Sequence, residues 1–442
     1  MSDKKPLYVQ DAVKIERPRS VNAQGYPFMA KIAIIGSGVS GLTCAYLLRN
    51  KHQVTLFEAN DYLGGHTHTH QVIVEEQTVT VDTGFIVYND RTYPNFMRLL
   101  AELGCSGDPT EMSFSVQDEA QDLEYNGHSL NTLFAQRRNL FRPAFWSLVR
   151  DILRFNKLAK VLPSNESASL ADYLDQHGFG VAFRTQYLYP MAAAIWSTGD
   201  KAIGSFPVRA LVDFFVNHGL VDLKNRPQWY VVKGGSNQYI KAMRPHLQDV
   251  RLSSAVKAVK RIARDEGAIT VCTDTGEEYF DEVILACHSD EALAMLDAPS
   301  IQEENVLSSI RYTPNTAYLH TDVSRLPKRH LAWASWNYFI PAGSKEDVAH
   351  LTYNMNILQH IPTKMPLLVT LNDPDIDPDC LLGTFDYTHP FYDQETLDAQ
   401  TRHHEISGQE HTHYCGAYWH FGFHEDGVKS ALRVCQQLGV VW

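Results

Sequence analysis

The chain has 442 residues with 39 basic and 51 acidic side chains, a formal charge of −12. Its length calls for about two domains, and 44% apolar with 20% charged residues excludes a disordered or fibrous chain. No run approaches the roughly 18 apolar residues of a membrane span, and the acidic balance argues against a general nucleic-acid binder.

Residues 1–29 are polar and aperiodic, with three prolines, and are expected to be a flexible N-terminal extension without an apolar signal core. Met29 stands just before the first strand and is a candidate natural start. Lys31 to Ile35 is a short apolar β-run, and Gly36-Ser37-Gly38-Val39-Ser40-Gly41 follows directly. Leu42 to Arg49 has helical spacing, Gln53 to Phe57 is a second apolar strand, and Glu58 closes it. In such a βαβ unit the first glycine makes a tight turn, the second lets backbone approach a pyrophosphate, and the third permits close helix–strand packing. The helix N-terminus faces the phosphates and Glu58 accepts from a ribose, so the unit is read as dinucleotide-binding. The competing reading, a mere glycine-rich turn, does not explain both strands, the helix and the acid together. Seven scattered cysteines without a C-x-x-C pair point to reduced thiols and a cytoplasmic protein.

Four further runs carry a resemblance. Glu58-Ala59 leads through four residues to Gly64-Gly65-His66-Thr67; Val81-Asp-Thr83-Gly84-Phe85 precedes Tyr93-Pro94 and a helix from Phe96 to Leu103. Lys233-Gly-Gly-Ser236 precedes a helix and a strand from Val250 to Lys260, which contains Val256. Near the C-terminus Cys415-Gly416-Ala417 leads to Glu425-Asp-Gly427-Val428 and a helix from Lys429 to Leu438. In this order the runs resemble the flavin-binding motifs of the flavin-containing amine oxidase and phytoene desaturase superfamily. The resemblance implies FAD as cofactor, with Gly64, Gly65, His66, Thr83, Gly84 and Phe85 beside the flavin and Val256 at the adenine. It also implies that Gly416, Glu425, Gly427 and Val428 bind FAD at the end of a helix dipole. Two departures point away from the familiar amine substrate: His66 replaces the family's Arg, and Ala417 its usual acidic residue. More narrowly, Trp333-Ala-Ser-Trp336, Val369-Thr-Leu-Asn372 and His389-Pro390 resemble a bacterial subgroup of predicted NAD/FAD-binding proteins. That subgroup is associated with cyclopropane-fatty-acid-synthase-like enzymes, which implies chemistry on a phospholipid acyl chain.

The fold expected is therefore α/β: a Rossmann-type FAD-binding domain with an interleaved α+β substrate domain, amine-oxidase-like. Residues 30–100, 228–300 and 405–442 are assigned to the first, and 101–227 (helix-rich) with 301–404 to the second. No second G-x-G-x-x-G occurs, which disfavours direct reduction by NADH and leaves the electron acceptor open.

Between Arg137 and Leu162 seven cations accompany one anion, Asp151. On a helical wheel Phe141, Phe145, Leu148, Val149, Ile152 and Phe155 gather opposite Arg150, Arg154 and Lys157. Two readings stand: an ordinary amphipathic helix on its own core, or an interfacial helix placing residues 137–162 on anionic lipid. The second makes the protein peripheral on the inner face of a membrane. His66, His68 and His70 alternate, and His403, His404, His411 and His413 cluster, but without carboxylate or cysteine at ligand spacing no metal site is expected. Aromatics crowd the second lobe, Tyr187, Trp196, Phe214 and Trp336 among them, mostly as core, with a subset suited to an apolar channel. His66, Tyr387 and His389 are the candidates for proton handling or substrate positioning. The expected activity is an FAD-dependent desaturase or dehydrogenase on a lipid-like acyl substrate. A double-bond isomerase of acyl chains and an amine oxidase are the alternatives.

Overall fold

The computed structural model describes residues 29–196, 200–222, 224–261, 269–343 and 349–442. The expected N-terminal extension, apart from Met29, lies outside them.

Five parallel strands form the first sheet, in the order Asp249–Arg251, Gln53–Phe57, Lys31–Ile35, Glu282–Leu285, Thr412–Tyr414. Its central strand is apolar on both sides, with Ile32, Ala33 and Ile34 fully buried, as a sheet covered on two faces requires. Helix Val39–Leu48 is buried along its whole length and packs against the C-terminal helix His424–Gln437. On its opposite side Gly41 lets the helix rest on the glycine turn and strand end: a Cβ there would sit 1.9 Å from the Gly36 carbonyl oxygen.

Two expected elements differ. The strand expected from Val250 to Lys260 is two strands, Asp249–Arg251 in the parallel sheet and Val256–Arg261 in a separate antiparallel one. The break falls where Ser253 takes a positive φ of 48° and the amides of Ser253 and Ser254 bond back to the carbonyls of Asn60 and Glu58. The C-terminal helix starts at His424 rather than Lys429, because Asp426 accepts from the amides of Phe421 and Phe423 and holds the first turn.

A mixed seven-stranded sheet forms the second layer, ordered Leu381–Pro390, Tyr312–His320, Leu368–Leu371, His350–Asn354, Trp336–Ile340, Phe114–Asp118, Leu123–Asn126. The last two strands lie in a stretch read as helix-rich; Phe114–Asp118 is recruited by parallel pairing with Trp336–Ile340. The helices from Pro143 to Asn217 pack beside this sheet over one large apolar core that includes Leu148, Phe155, Phe183 and Leu211.

Candidate functional site

A cavity of about 1790 Å³ runs between the two layers, from the glycine-rich loop to the helical lobe. At one end Gly36 adopts φ +102°, a turn that favours glycine, and a Cβ there would lie 2.8 Å from the Ala286 carbonyl oxygen. A Cβ on Gly38, by contrast, would meet no protein atom within 4 Å. Gly38 therefore lays bare backbone against open cavity, beside the N-terminus of helix Val39–Leu48, as a pyrophosphate needs. Glu58 closes this end. It accepts from the Ser37 amide (2.9 Å) and hydroxyl (2.5 Å) and from the Asn60 amide (2.9 Å) and side chain (3.0 Å). The Ser37 hydroxyl and the Asn60 carboxamide can rotate aside for ribose hydroxyls while the two backbone donors keep the carboxylate aimed.

The middle of the cavity is built by two segments zipped together. The amides of Thr83 and Phe85 bond to the carbonyls of His68 and His66, so closely that a Cβ on Gly84 would lie 2.1 Å from the His66 oxygen. Asp82 anchors the pair from behind. Fully buried, it accepts from Thr69 Oγ1, from the Ser236 amide and hydroxyl and from Gln359 Nε2. Burial pushes its carboxyl up to about 6 against the pull of these donors. Asp82→Ala is expected to strand four donors and destabilise the fold by about 2–4 kcal/mol, read as a lowered thermal midpoint of the flavin-free protein.

His66, Tyr387 and His389 all line the cavity and stand together, with ring centroids of 5.2 Å for His66–Tyr387 and 5.6 Å for His66–His389. Tyr387 Oη lies 2.8 Å from Thr83 Oγ1 and 3.1 Å from His68 Nδ1, and burial pushes its phenol far up, so it stays protonated. His66 Nε2 meets the Thr388 carbonyl at 3.2 Å. Burial first, then the neighbouring His389 and His288, push His66 down to about 3, and burial with His288 takes His389 to about 4. The ring that replaces the family's Arg is therefore neutral throughout the physiological range rather than poised to titrate. His389 Nδ1 is buried without a hydrogen-bond partner among the described residues.

Of the residues expected at the cofactor, Gly36, Ser37, Gly38, Val39, Ser40, Glu58, Ala59, Gly64, Gly65, Thr83, Gly84, Phe85, Val256 and Gly416 line the cavity together with His66. Four do not. Gly41 serves packing alone. Glu425 is turned away to cap helix Pro94–Glu102, accepting from the Phe96 amide (2.9 Å) and Asn95 Nδ2 (2.6 Å). Gly427 admits the first helix, since a Cβ there would sit 2.5 Å from Val39 Cγ1, and Val428 is core.

Two lining histidines were not identified as site residues from sequence. His288 lies 5.9 Å from His66 between ring centroids, and its Nδ1 is 3.1 Å from Thr388 Oγ1. His424 stacks on Phe85 at 3.4 Å and bonds Thr67 Oγ1 at 2.9 Å. His424 stands immediately before Glu425 of the C-terminal motif, so its position was a signal. No signal marks His288, which reads as the end of a strand. Among the described residues no group of three or more His, Cys, Asp or Glu is arranged to hold a metal, and all seven cysteines are free.

The far end of the cavity is apolar, lined by Met112, Phe114, Leu133, Val149, Ile152, Met191, Ile195, Phe214 and Trp336. Among the described residues no helix is long and apolar enough to cross a membrane.

Comparison with known proteins agrees with this geometry. A relative from Mycobacterium tuberculosis, named "Putative flavin-containing monoamine oxidase AofH", is 24% identical over 348 residues, covering 75% of this chain and 72% of its own. A conjugated-linoleic-acid-producing fatty acid isomerase from P. acnes superposes with a TM-score of 0.65 at 14% identity, over 93% of this chain and 99% of that one. Putrescine oxidase bound to putrescine gives 0.62 at 16% identity, over 93% and 99%. Cyclohexylamine oxidase from Brevibacterium oxydans gives 0.62 at 15%, over 93% and 100%. These structural likenesses establish the fold. The family described as flavin-containing amine oxidoreductase matches residues 39–349, well over half of the chain. The protein thus belongs to the flavin-containing amine oxidoreductases and is an FAD-dependent oxidoreductase.

Proposed function

We propose that the enzyme is a desaturase or dehydrogenase that takes a hydride from an apolar, lipid-like acyl chain. The observation that carries this reading is the apolar end of the cavity, where aromatic, aliphatic and methionine side chains give a hydrocarbon a dry bed. FAD, when bound, supplies the hydride acceptor. The chain's own residues do the rest. Gly38 and the first helix would hold the pyrophosphate, and Glu58 would hold the ribose. Neutral His66 and His389, with Tyr387 as a protonated donor at Oη, line the polar side of the cavity without placing a full charge beside a hydrocarbon. None of the three is a strong base, and none is needed: hydride loss leaves a cationic carbon whose neighbouring C–H is acidic enough to give its proton to a neutral imidazole, His66 or His389, as the double bond forms.

A redox-neutral double-bond isomerase is the second reading, favoured by the fold shared with the P. acnes fatty acid isomerase and by the absence of a second dinucleotide motif. Anaerobic mixing of the FAD-loaded enzyme with detergent-dispersed acyl lipids and with alkyl diamines separates these. Lasting flavin bleaching by lipid supports desaturation. Shifted double bonds without lasting bleaching support isomerisation, and bleaching by amines alone would overturn both.

A further inference from the structure

The basic segment is a short 3-10 turn, Arg137–Phe141, followed by helix Pro143–Ala159. Its broad aromatic side is used inside: Phe145, Leu148 and Phe155 are buried in the protein's own core. Asp151, the one anion, is buried too and accepts from the Gly180 amide. Phe141, expected on that side, lies in the turn before the helix and faces outward instead, with other apolar residues. Phe141 is 87% exposed, Leu130 78%, Leu153 49%, Trp146 48% and Leu140 42%. They are joined rather than scattered, for Trp146 Nε1 bonds the Leu140 carbonyl, and Trp146, Arg150, Leu153 and Lys157 recur at helical spacing on one face. Of the surrounding cations, Arg138 pairs with Asp122 and Lys160 with Asp222. Arg137, Arg142, Arg150 and Lys157 have no carboxylate within ion-pair distance among the described residues.

Part of the same surface borders the cavity. Leu130 and Leu153, both exposed, line it, and Leu133, Val149 and Ile152 continue the apolar wall inward. We infer that this surface docks on a bilayer containing anionic lipid, Phe141 and Trp146 entering the headgroup region, the free cations meeting phosphates, and the cavity opening toward the acyl layer. A second copy of this chain is a poorer occupant. A two-fold contact through this face would set its uncompensated cations against themselves, whereas a negative membrane surface neutralises them. Delivery of substrate from the membrane rests on the acyl-lipid reading above; the docking itself does not.

The FAD-loaded full chain is sedimented with vesicles of mixed phosphatidylglycerol and phosphatidylcholine, and with vesicles of phosphatidylcholine alone. Binding is expected to the mixed vesicles and to fall as salt is raised. Arg142→Gln/Arg150→Gln/Lys157→Gln should bind on the order of 100-fold more weakly, roughly fivefold for each cation removed. Phe141→Ser/Trp146→Ser should weaken binding at least about tenfold. Both variants should keep the flavin absorbance and thermal midpoint of the parent, because all five side chains are at the surface or its edge. Failure of the parent to sediment with the mixed vesicles overturns the proposal, as does equal binding by both variants. A dimer lost in Phe141→Ser/Trp146→Ser without any vesicle binding would assign the face to a second copy instead. Vesicle binding with neither flavin bleaching nor shifted double bonds in any dispersed lipid would reject the substrate reading and leave the docking face standing. Bleaching without vesicle binding would do the reverse.

Discussion

Gly41→Val is expected to yield a chain that neither binds FAD nor unfolds cooperatively. Even the first carbon of the new side chain would lie 1.9 Å from the Gly36 carbonyl oxygen and 3.1 Å from Ala286 Cβ. Both obstacles belong to the tightest part of the fold, the turn and the strand end on which the first helix rests. That helix cannot back away, because its other side is packed against the C-terminal helix through Gly427, where a Cβ would already reach Val39 Cγ1 at 2.5 Å. Relief would require separating helix from sheet and exposing residues such as Leu42 and Leu48, both fully buried. A cost above about 4 kcal/mol is expected for such a core clash. Thermal denaturation, read by far-ultraviolet dichroism, and the visible flavin absorbance check it. A yellow protein with the parent's midpoint would show that the turn and helix are not packed as described.

Glu58→Ala is expected to leave a folded protein that purifies nearly colourless. The carboxylate is buried and meets two backbone amides, Ser37 and Asn60, at 2.9 Å each. Removing it therefore has two consequences. Two amides lose a charged acceptor, which should lower the midpoint modestly, by about 1–3 kcal/mol. The larger loss is toward the cofactor, whose two ribose hydroxyls would each forfeit a bond to a charged group worth about 1.5–3 kcal/mol. Together these weaken FAD binding by roughly 100-fold to 10,000-fold. Titration of apo-protein with FAD, followed by flavin fluorescence, measures it, while dichroism shows that the fold persists. Parent-like affinity in the variant would remove Glu58 from the ribose site.

Much of the flavin end was legible in the sequence because its chemistry is local. Gly36, Gly38 and Gly41 stand at the spacing of one turn and one helix start, and Glu58 ends the next strand. Backbone geometry alone dictates where such residues go. The quoted motifs around Gly64, Thr83 and Gly416 also reached the cavity, since each is a glycine-bearing loop at the edge of a strand or helix. Prediction failed where one residue type could serve two ends. Glu425 has the chemistry of a cofactor acceptor, yet the free amides of Asn95 and Phe96 claim it, and those are 330 and 329 residues away in sequence. The strand Phe114–Asp118 was read with the helical stretch for a similar reason: its partner, Trp336–Ile340, lies more than two hundred residues downstream.

The charged helix shows the same division. Its surplus of cations is a property of composition, visible without any fold. Which of its apolar residues meet solvent was not, because Phe145 and Phe155 share a helix with Trp146 and Leu153 and differ only in which side the core occupies. Periodicity names two faces; the neighbours choose between them. Likewise His66 was identified from its motif, but its neutrality was not. That comes from burial and from His288 and His389, two imidazoles carried in from a helix N-cap and a strand far along the chain. The sequence by itself thus determined the family, the cofactor and the glycine turn at the head of the first helix, all of which follow from short-range backbone constraints. Only the tertiary structure decided the histidine cluster, the redirected Glu425 and the outward apolar rim, because burial and electrostatic environment depend on contacts between segments that no local pattern encodes.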